Sequence, residues 1–340
     1  MSLNFIRPLA LAALVAAVVS PALAQTPAAY SLSDRFKGPD GGYDYIHFDP
    51  AMKRAYVGRT DGALALDTAS GVVTGHLAPA THSHAVLPIN GGAQLLITDA
   101  GPNLAHIVDA ASGKLIVDIP VGQKPDGALF DPASGLALVL NGHSGDVTLI
   151  DPVARKSVGT IPVGGSVEGP ASDGAGKVFI TIEDQSRIAV LDMKTRARTG
   201  YYALPGCDGP TGMVYASDAG VLITGCANKV AKVIRASDGA DLATLAIGAG
   251  PDQLSYDPKR RLVFIPCGKD GVLDIVAVRG PTDIKIVQTV KTQVGARTSA
   301  VDPVSGKVYL PASRYVQQPG VVKPVAKPGT FEVLVVSPGA

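Results

Sequence analysis

Apolar and polar positions come in short alternating blocks along this chain. Runs of four to seven Leu, Val, Ile and Ala residues are separated by clusters of Gly, Pro, Asn and Asp. Apolar runs of that length, bounded by turn formers, signal β-strands. No stretch keeps a 3.6-residue period long enough for an amphipathic helix, and breakers are too frequent to allow one. The interval 119–165 shows the grammar in full. Ile119-Pro120-Val121-Gly122 opens it and Ile161-Pro162-Val163-Gly164 closes it. Between them come an apolar run, the turn Asp131-Pro132-Ala133-Ser134-Gly135, a second run and an Asn-Gly-His-Ser-Gly-Asp turn. Val147-Thr148-Leu149-Ile150-Asp151 and a short fourth strand follow. This is a four-stranded antiparallel meander.

The unit repeats. Its first turn recurs at Asp49-Pro50, Asn90-Gly91, Asp131-Pro132, Asp173-Gly174, Ser217-Asp218, Asp257-Pro258 and Asp302-Pro303, in steps of 40–45 residues. The end of the third strand recurs as Leu66-Asp67, Val108-Asp109, Ile150-Asp151 and Leu191-Asp192, then degenerates at Ile234-Arg235. Four strands at this period are the signature of a β-propeller. Seven units predict an all-β, seven-bladed β-propeller with four antiparallel strands per blade. The seventh unit ends without an outer strand, while residues 29–36 precede the first unit with nothing to pair with. Placing 29–36 as the outer strand of the last blade closes the ring and removes two exposed sheet edges.

The first 24 residues follow a different pattern. Arg7 precedes an apolar run over 9–19, Pro21 follows it, and Ala22-Leu23-Ala24 supplies small residues. That is a secretory signal peptide with cleavage after Ala24, leaving one domain over 25–340 in the periplasm or outside the cell. Its apolar run is too short to span a bilayer, which takes about 20 residues, and no later segment is apolar enough. Lys+Arg 30 against Asp+Glu 29 gives a net charge of +1. Such a balance provides no basic field for nucleic acid, so the expected partner is a small molecule or a periplasmic protein. We read the chain as a monomer. Trp is absent, which excludes propeller families built around an indole.

The run over 119–151 resembles the YVTN-repeat β-propellers, the exported YncE-like proteins. The name-giving tetrapeptide is approximate here, as in Tyr56-Val57-Gly58-Arg59, Val139-Leu140-Asn141-Gly142, Phe179-Ile180-Thr181-Ile182 and Tyr309-Leu310-Pro311-Ala312. The resemblance covers all seven units and implies an exported propeller. Its motif is structural, so it carries no catalytic residue with it.

In a propeller the start of each first strand opens on a common channel mouth. Aligning the first strands gives one entry residue per blade: Asp44, His84, Asp126, Glu168, Thr211, Asp252 and Arg297. Crowded carboxylates raise one another's pKa or take up a cation. These seven, with His143, are the candidate ligand-binding residues. His82, His84, Asp126 and Glu168 are the candidate ligands of a divalent metal, the one cofactor the pattern suggests. The loops after the second strands bring Arg59, Asp99, His143, Glu183, Asn228, Lys269 and Tyr315 to the same face. The insertion 316–329, with three prolines and no acid, is expected there as an extended lid or docking arm. His47 and His106 fall within strands and read as packed or hydrogen-bonded.

Of the three cysteines, Cys207 and Cys226 sit at one end of neighbouring strands, which predicts a disulfide between them. Cys267 occupies in the sixth unit the place of Cys226 in the fifth, so Cys226–Cys267 is the competing pair. No G-x-S-x-G elbow, H-E-x-x-H or phosphate loop is present. The expected function is therefore non-enzymatic binding at the mouth. The alternative is a divalent-metal-dependent hydrolase of the lactonase-type propeller class.

Overall fold

The computed structural model describes residue 1, residues 29–317 and residues 325–339. Apart from Met1, the leader expected over 1–24 lies outside the described residues, as does 318–324 of the last-blade insertion. The described chain forms seven four-stranded antiparallel sheets and one two-stranded ribbon, Tyr315–Val316 with Val325–Ala326. Its helical content is two short 3-10 turns, Asn90–Gly92 and Glu183–Gln185. Blades 1 to 6 span 43–79, 83–120, 125–162, 167–203, 210–246 and 255–291. First strands of successive blades pack side by side, and the first strand of blade 7 returns to that of blade 1. The architecture is a seven-bladed β-propeller.

The ring explains why the inner strands are unbroken apolar runs. Each sheet is covered on both faces by its neighbours, so alternation of polar and apolar residues disappears. In the strand Leu136–Asn141, Leu136, Leu138 and Leu140 pack against Val178, Ile180 and Ile182 of blade 4. Ala137 and Val139 point the other way, to Leu96 of blade 2. The outer strand Lys156–Pro162 is mostly exposed and correspondingly polar. The repeated turn is held by its own side chains. Asp131 Oδ2 accepts from Ser134 N at 2.9 Å and from Ser134 Oγ at 2.6 Å, and Gly135 takes a φ of +70°. The other Oδ of Asp131 accepts from Ser172 Oγ of blade 4 at 2.6 Å. The motif therefore sets a turn and also ties two blades together.

Blade 7 is built from both ends of the described chain. From the axis outward its order is Ala300–Val301, Val308–Ala312, Glu332–Pro338, Tyr30–Lys37. Tyr30 pairs with Pro338 and Lys37 with Glu332, and Arg35 is ion-paired with Glu332. Gln288 of blade 6 brackets Tyr30, accepting from its N–H at 2.8 Å and donating to its carbonyl at 2.7 Å. The N-terminal strand thus ends one sheet and also docks on the next.

Neighbouring first strands approach closely near the axis. Gly212 N donates to Asp252 O at 2.6 Å, and a Cβ on Gly212 would lie 2.0 Å from that oxygen. No side chain fits there without moving the backbone of blade 6. We expect Gly212→Ala to cost about 2–3 kcal/mol, at the upper end for forced overpacking. Urea unfolding of the variant checks this, and an unchanged midpoint would mean the two strands are further apart.

Candidate functional site

The first strands of blades 1 to 5 begin with one residue too many. In blade 1, Tyr43 pairs with Arg59 and Ile46 with Val57, so Asp44 and Tyr45 share the place opposite Gly58. The same two-for-one mismatch falls on His84-Ala85, Asp126-Gly127, Glu168-Gly169 and Thr211-Gly212. A bulge of this kind interrupts the two-residue alternation and re-aims a side chain. It turns the entry residue of each of these blades out of the sheet and toward the axis.

There they meet. His84 Nδ1 lies 2.5 Å from Asp44 Oδ2 and 3.3 Å from Asp126 Oδ1. Lys124 Nζ lies 3.4 Å from the other oxygen of Asp126. Arg297 Nε donates to Asp252 Oδ2 at 2.8 Å, and its Nη2 donates to Tyr43 O at 2.8 Å and lies 3.4 Å from Asp44 Oδ1. Glu168 accepts from the hydroxyl of Tyr45 at 3.2 Å, a contact that crosses the ring from blade 1 to blade 4. Gln253 of blade 6 likewise reaches Ile46, donating to its carbonyl at 2.8 Å and accepting from its N–H at 2.9 Å. Tyr45 is 4 % exposed.

Burial and crowding set the protonation of this ring. Desolvation, with Asp126, Asp252, Glu183 and Asp44 nearby, pushes the Glu168 carboxyl well above its ordinary range. Burial raises Asp126, with His84 and Lys124 opposing. Burial and the field of Asp44 push Asp252 up to about 7 despite Arg297. Burial works against charge on His84, but its bond to Asp44 and the fields of Asp126 and Asp44 outweigh it, and its pKa rises.

Beside these groups lies a cavity of roughly 610 Å³. Glu168, Glu183, Thr211, Asp252, Lys269 and Arg297 contribute its polar lining, and Ala227, Pro251, Val294 and Tyr315 its apolar wall. It occupies the blade 4 to blade 7 side of the mouth. The trio Asp44, His84 and Asp126 lies on the other side, with donor atoms within 4.8 Å of one another.

The candidate metal set is rearranged by this geometry. Asp44 joins His84 and Asp126, whereas His82 and Glu168 stand outside the trio. His82 is exposed and lies against the ring of His84, their centroids 4.9 Å apart. His143 is exposed on its loop, which is held through its backbone N–H to Gln123 O. Three residues expected on the mouth loops are used internally instead. Arg59 is 1 % exposed, stacked 3.7 Å from the Phe331 ring centroid and donating to Pro39 O. Asp99 accepts from Thr81, His82 and Gly101 and pairs with His106. Asn228 caps the loop at Gly206 and Asp208. Cys207 and Cys226 are disulfide-bonded, and Cys267 is free and buried. Tyr45, Gln253 and Lys124 were not anticipated from the sequence. Tyr45 had a signal: its place in the repeat is Ala85, Gly127, Gly169 and Gly212 elsewhere, so one large ring stands where four blades have small residues.

No family model matches this chain, and no curated protein matches it. Solved structures do. The chain is similar to the structure of U3-55K, at 12% identity over 92% of this chain and 99% of that one, with a TM-score of 0.75. A chain in the crystal structure of the mitotic checkpoint complex matches at 15% identity over 97% and 98%, with a TM-score of 0.71. Hydrazine synthase of Kuenenia stuttgartiensis matches at 17% identity over 81% and 94%, with a TM-score of 0.70. What is shared is the fold. Identities this low carry no ligand or activity across.

The ring gives stability a definite pH dependence. Glu168, Asp126, Asp252 and His84 all hold protons more tightly folded than unfolded. Their contribution is therefore complete below the unfolded carboxylate range, roughly pH 4, and is lost as pH rises through the folded values. We expect Glu168→Gln to be neutral at pH 4 and to stabilise the fold at pH 8 by about 1 kcal/mol or more, the worth of one pKa unit. Chemical unfolding at both pH values measures it. Equal effects at the two would mean that Glu168 is not held protonated.

Proposed function

We propose that this protein is an exported β-propeller of the YVTN-repeat, YncE-like kind that binds a small molecule or periplasmic partner at its mouth without transforming it. The leader sequence and the repeat grammar support export and kinship. The observation that carries the binding reading is the bowl itself. Its volume of roughly 610 Å³ falls in the range of small-molecule sites. Its lining combines polar groups from blades 4 to 7 with an apolar surface of Ala227, Pro251, Val294 and Tyr315.

The absence of chemistry is argued from how the polar groups are engaged. Thr211 is the hydroxyl among the alcohol side chains lining the cavity, and it donates to the carbonyls of Gly225 and Pro251 rather than to a base. Arg297 is held by Asp252 and by the carbonyl of Tyr43. Neither arrangement pairs a nucleophile with a general base.

A second reading rests on the trio Asp44, His84 and Asp126, whose donor atoms are close enough to share a divalent ion. It would suit a metal-dependent hydrolase of the lactonase type. Against it, the imidazole nitrogen between the two carboxylates, Arg297 on Asp44 and Lys124 on Asp126 already answer the negative charge. Metal analysis of protein purified without chelator separates the two, and the binding reading expects less than one ion per chain.

The binding reading is tested by filling the bowl. Ala227 is exposed on the cavity wall. In a thermal-shift screen of small molecules, compounds that stabilise the protein are expected to lose their effect on Ala227→Trp. Compounds unaffected by the substitution would place the binding site elsewhere.

A further inference from the structure

We propose that the mouth selects small molecules carrying an ammonium group on an apolar body, with the ammonium seated at Glu168. This rests on the reading of the mouth as a binding site and adds the chemical class of its ligand.

Three of the four ring carboxylates have a cationic neighbour. Asp126 faces Lys124 and His84, Asp44 faces His84 and Arg297, and Asp252 faces Arg297. Glu168 differs. Its side-chain partner is the neutral phenol of Tyr45, and among the described residues no Lys, Arg or His forms an ion pair with it; Lys124, paired with Asp126, acts on it only through its field. It is also the one of these carboxylates that lines the cavity without a cation covering it, since Asp44 and Asp126 do not line it and Asp252 is covered. Glu183, exposed on the same blade, lines the cavity too and adds its negative field.

Without a cation beside it Glu168 holds its proton, and a cationic ligand that brings N–H donors would release that proton to solvent and supply the missing counter-charge. A protonated amine brings both, and a charge-assisted bond is about twice as strong as a neutral one. The rest of the cavity states what the amine is attached to. Ala227, Pro251, Val294 and Tyr315 form a wall with little to offer a hydrated ion or a polyol, and much to offer a hydrocarbon or aromatic body. Val294 is 55% exposed and Tyr315 38% exposed, an apolar surface that a ligand would take out of water. Lys269 and Arg297 belong to blades 6 and 7, so they repel a cationic end toward blade 4.

The test keeps one body and changes its head. Calorimetric titration of the full-length protein at pH 7 uses 2-phenylethylamine, 2-phenylethanol and phenylacetate. The amine is expected to bind at least about tenfold tighter than the alcohol, with phenylacetate weakest. In Glu168→Gln, which keeps a bond to Tyr45 within reach, the amine falls to the affinity of the alcohol. Ala227→Trp, on an exposed loop, removes binding of both and serves if the first variant does not fold. An alcohol or phenylacetate that binds as tightly as the amine overturns the ammonium class but leaves the mouth reading standing, provided Ala227→Trp removes it. Amine binding that survives Ala227→Trp overturns both. So does an amine preference retained in Glu168→Gln, as far as the seat at Glu168 is concerned. Failure of all three probes to bind overturns the class, while screening hits lost on Ala227→Trp would still uphold the mouth.

Discussion

A four-stranded sheet that is apolar on both faces cannot stand alone in water, and a row of such sheets leaves a bare face at each end. Bending the row into a ring is what makes this sequence foldable. The strand Tyr30–Lys37, zipped to Glu332–Pro338, completes the sheet that joins the two ends. Its docking on Gln288 of blade 6 fixes the last blade against its neighbour on that side. On the other side Thr298 Oγ1 donates to Asp44 O at 2.9 Å, carrying the closure to the axis. Without that closure blades 1 and 7 would not meet, and Arg297 would have no Asp44 beside it.

The mouth is a consequence of closure plus one local irregularity. A regular strand would point Asp126 or Glu168 along the sheet face, into the apolar packing between blades. The bulge at the entry positions of blades 1 to 5 instead sends the polar side chain to the axis. The blades deliver more negative than positive groups to a small space, which buried Tyr45 reaches across to Glu168. Desolvation then dominates the electrostatics: Asp252 is raised although Arg297 touches it. The ring resolves most of its own charge through shared hydrogen bonds and leaves Glu168 as the exception.

Much of this was legible in the sequence. The Asp-Pro-x-Ser-Gly turn is a chemical device, an Asp accepting from a Ser three residues on with a left-handed Gly behind it, and it announces itself wherever it occurs. It stands complete at 131–135 and 302–306; the period and blade count follow from its looser echoes in the other units, and the closing strand from the outer strand that the seventh unit lacks. The entry residues were legible because their apolar runs align. What was not legible depends on geometry across the axis. Nothing local marks Tyr45 as reaching Glu168 123 residues away, or Gln253 as reaching Ile46 207 residues away. Arg59 was misplaced because a charged residue after a strand reads as solvent-facing, whereas here Phe331 and Pro39 supply a pocket for its guanidinium. The part of Asp44 in the trio with His84 and Asp126 was not legible either, because it depends on contact between neighbouring blades at the axis.

The closure of the ring is open to direct measurement. Ser33 and Ser337 lie 304 positions apart in sequence, and their hydroxyls are 2.7 Å from each other across the two closing strands. Ser33→Cys with Ser337→Cys places two thiols at that contact, in a protein whose remaining free cysteine is buried. Peptide mapping of the oxidised, folded double variant should find a disulfide linking the two ends, with unfolding shifted to higher denaturant. Thiols that stay free under the same oxidation, in a protein that is still folded, would show that the ends do not meet and that the ring is closed in some other way.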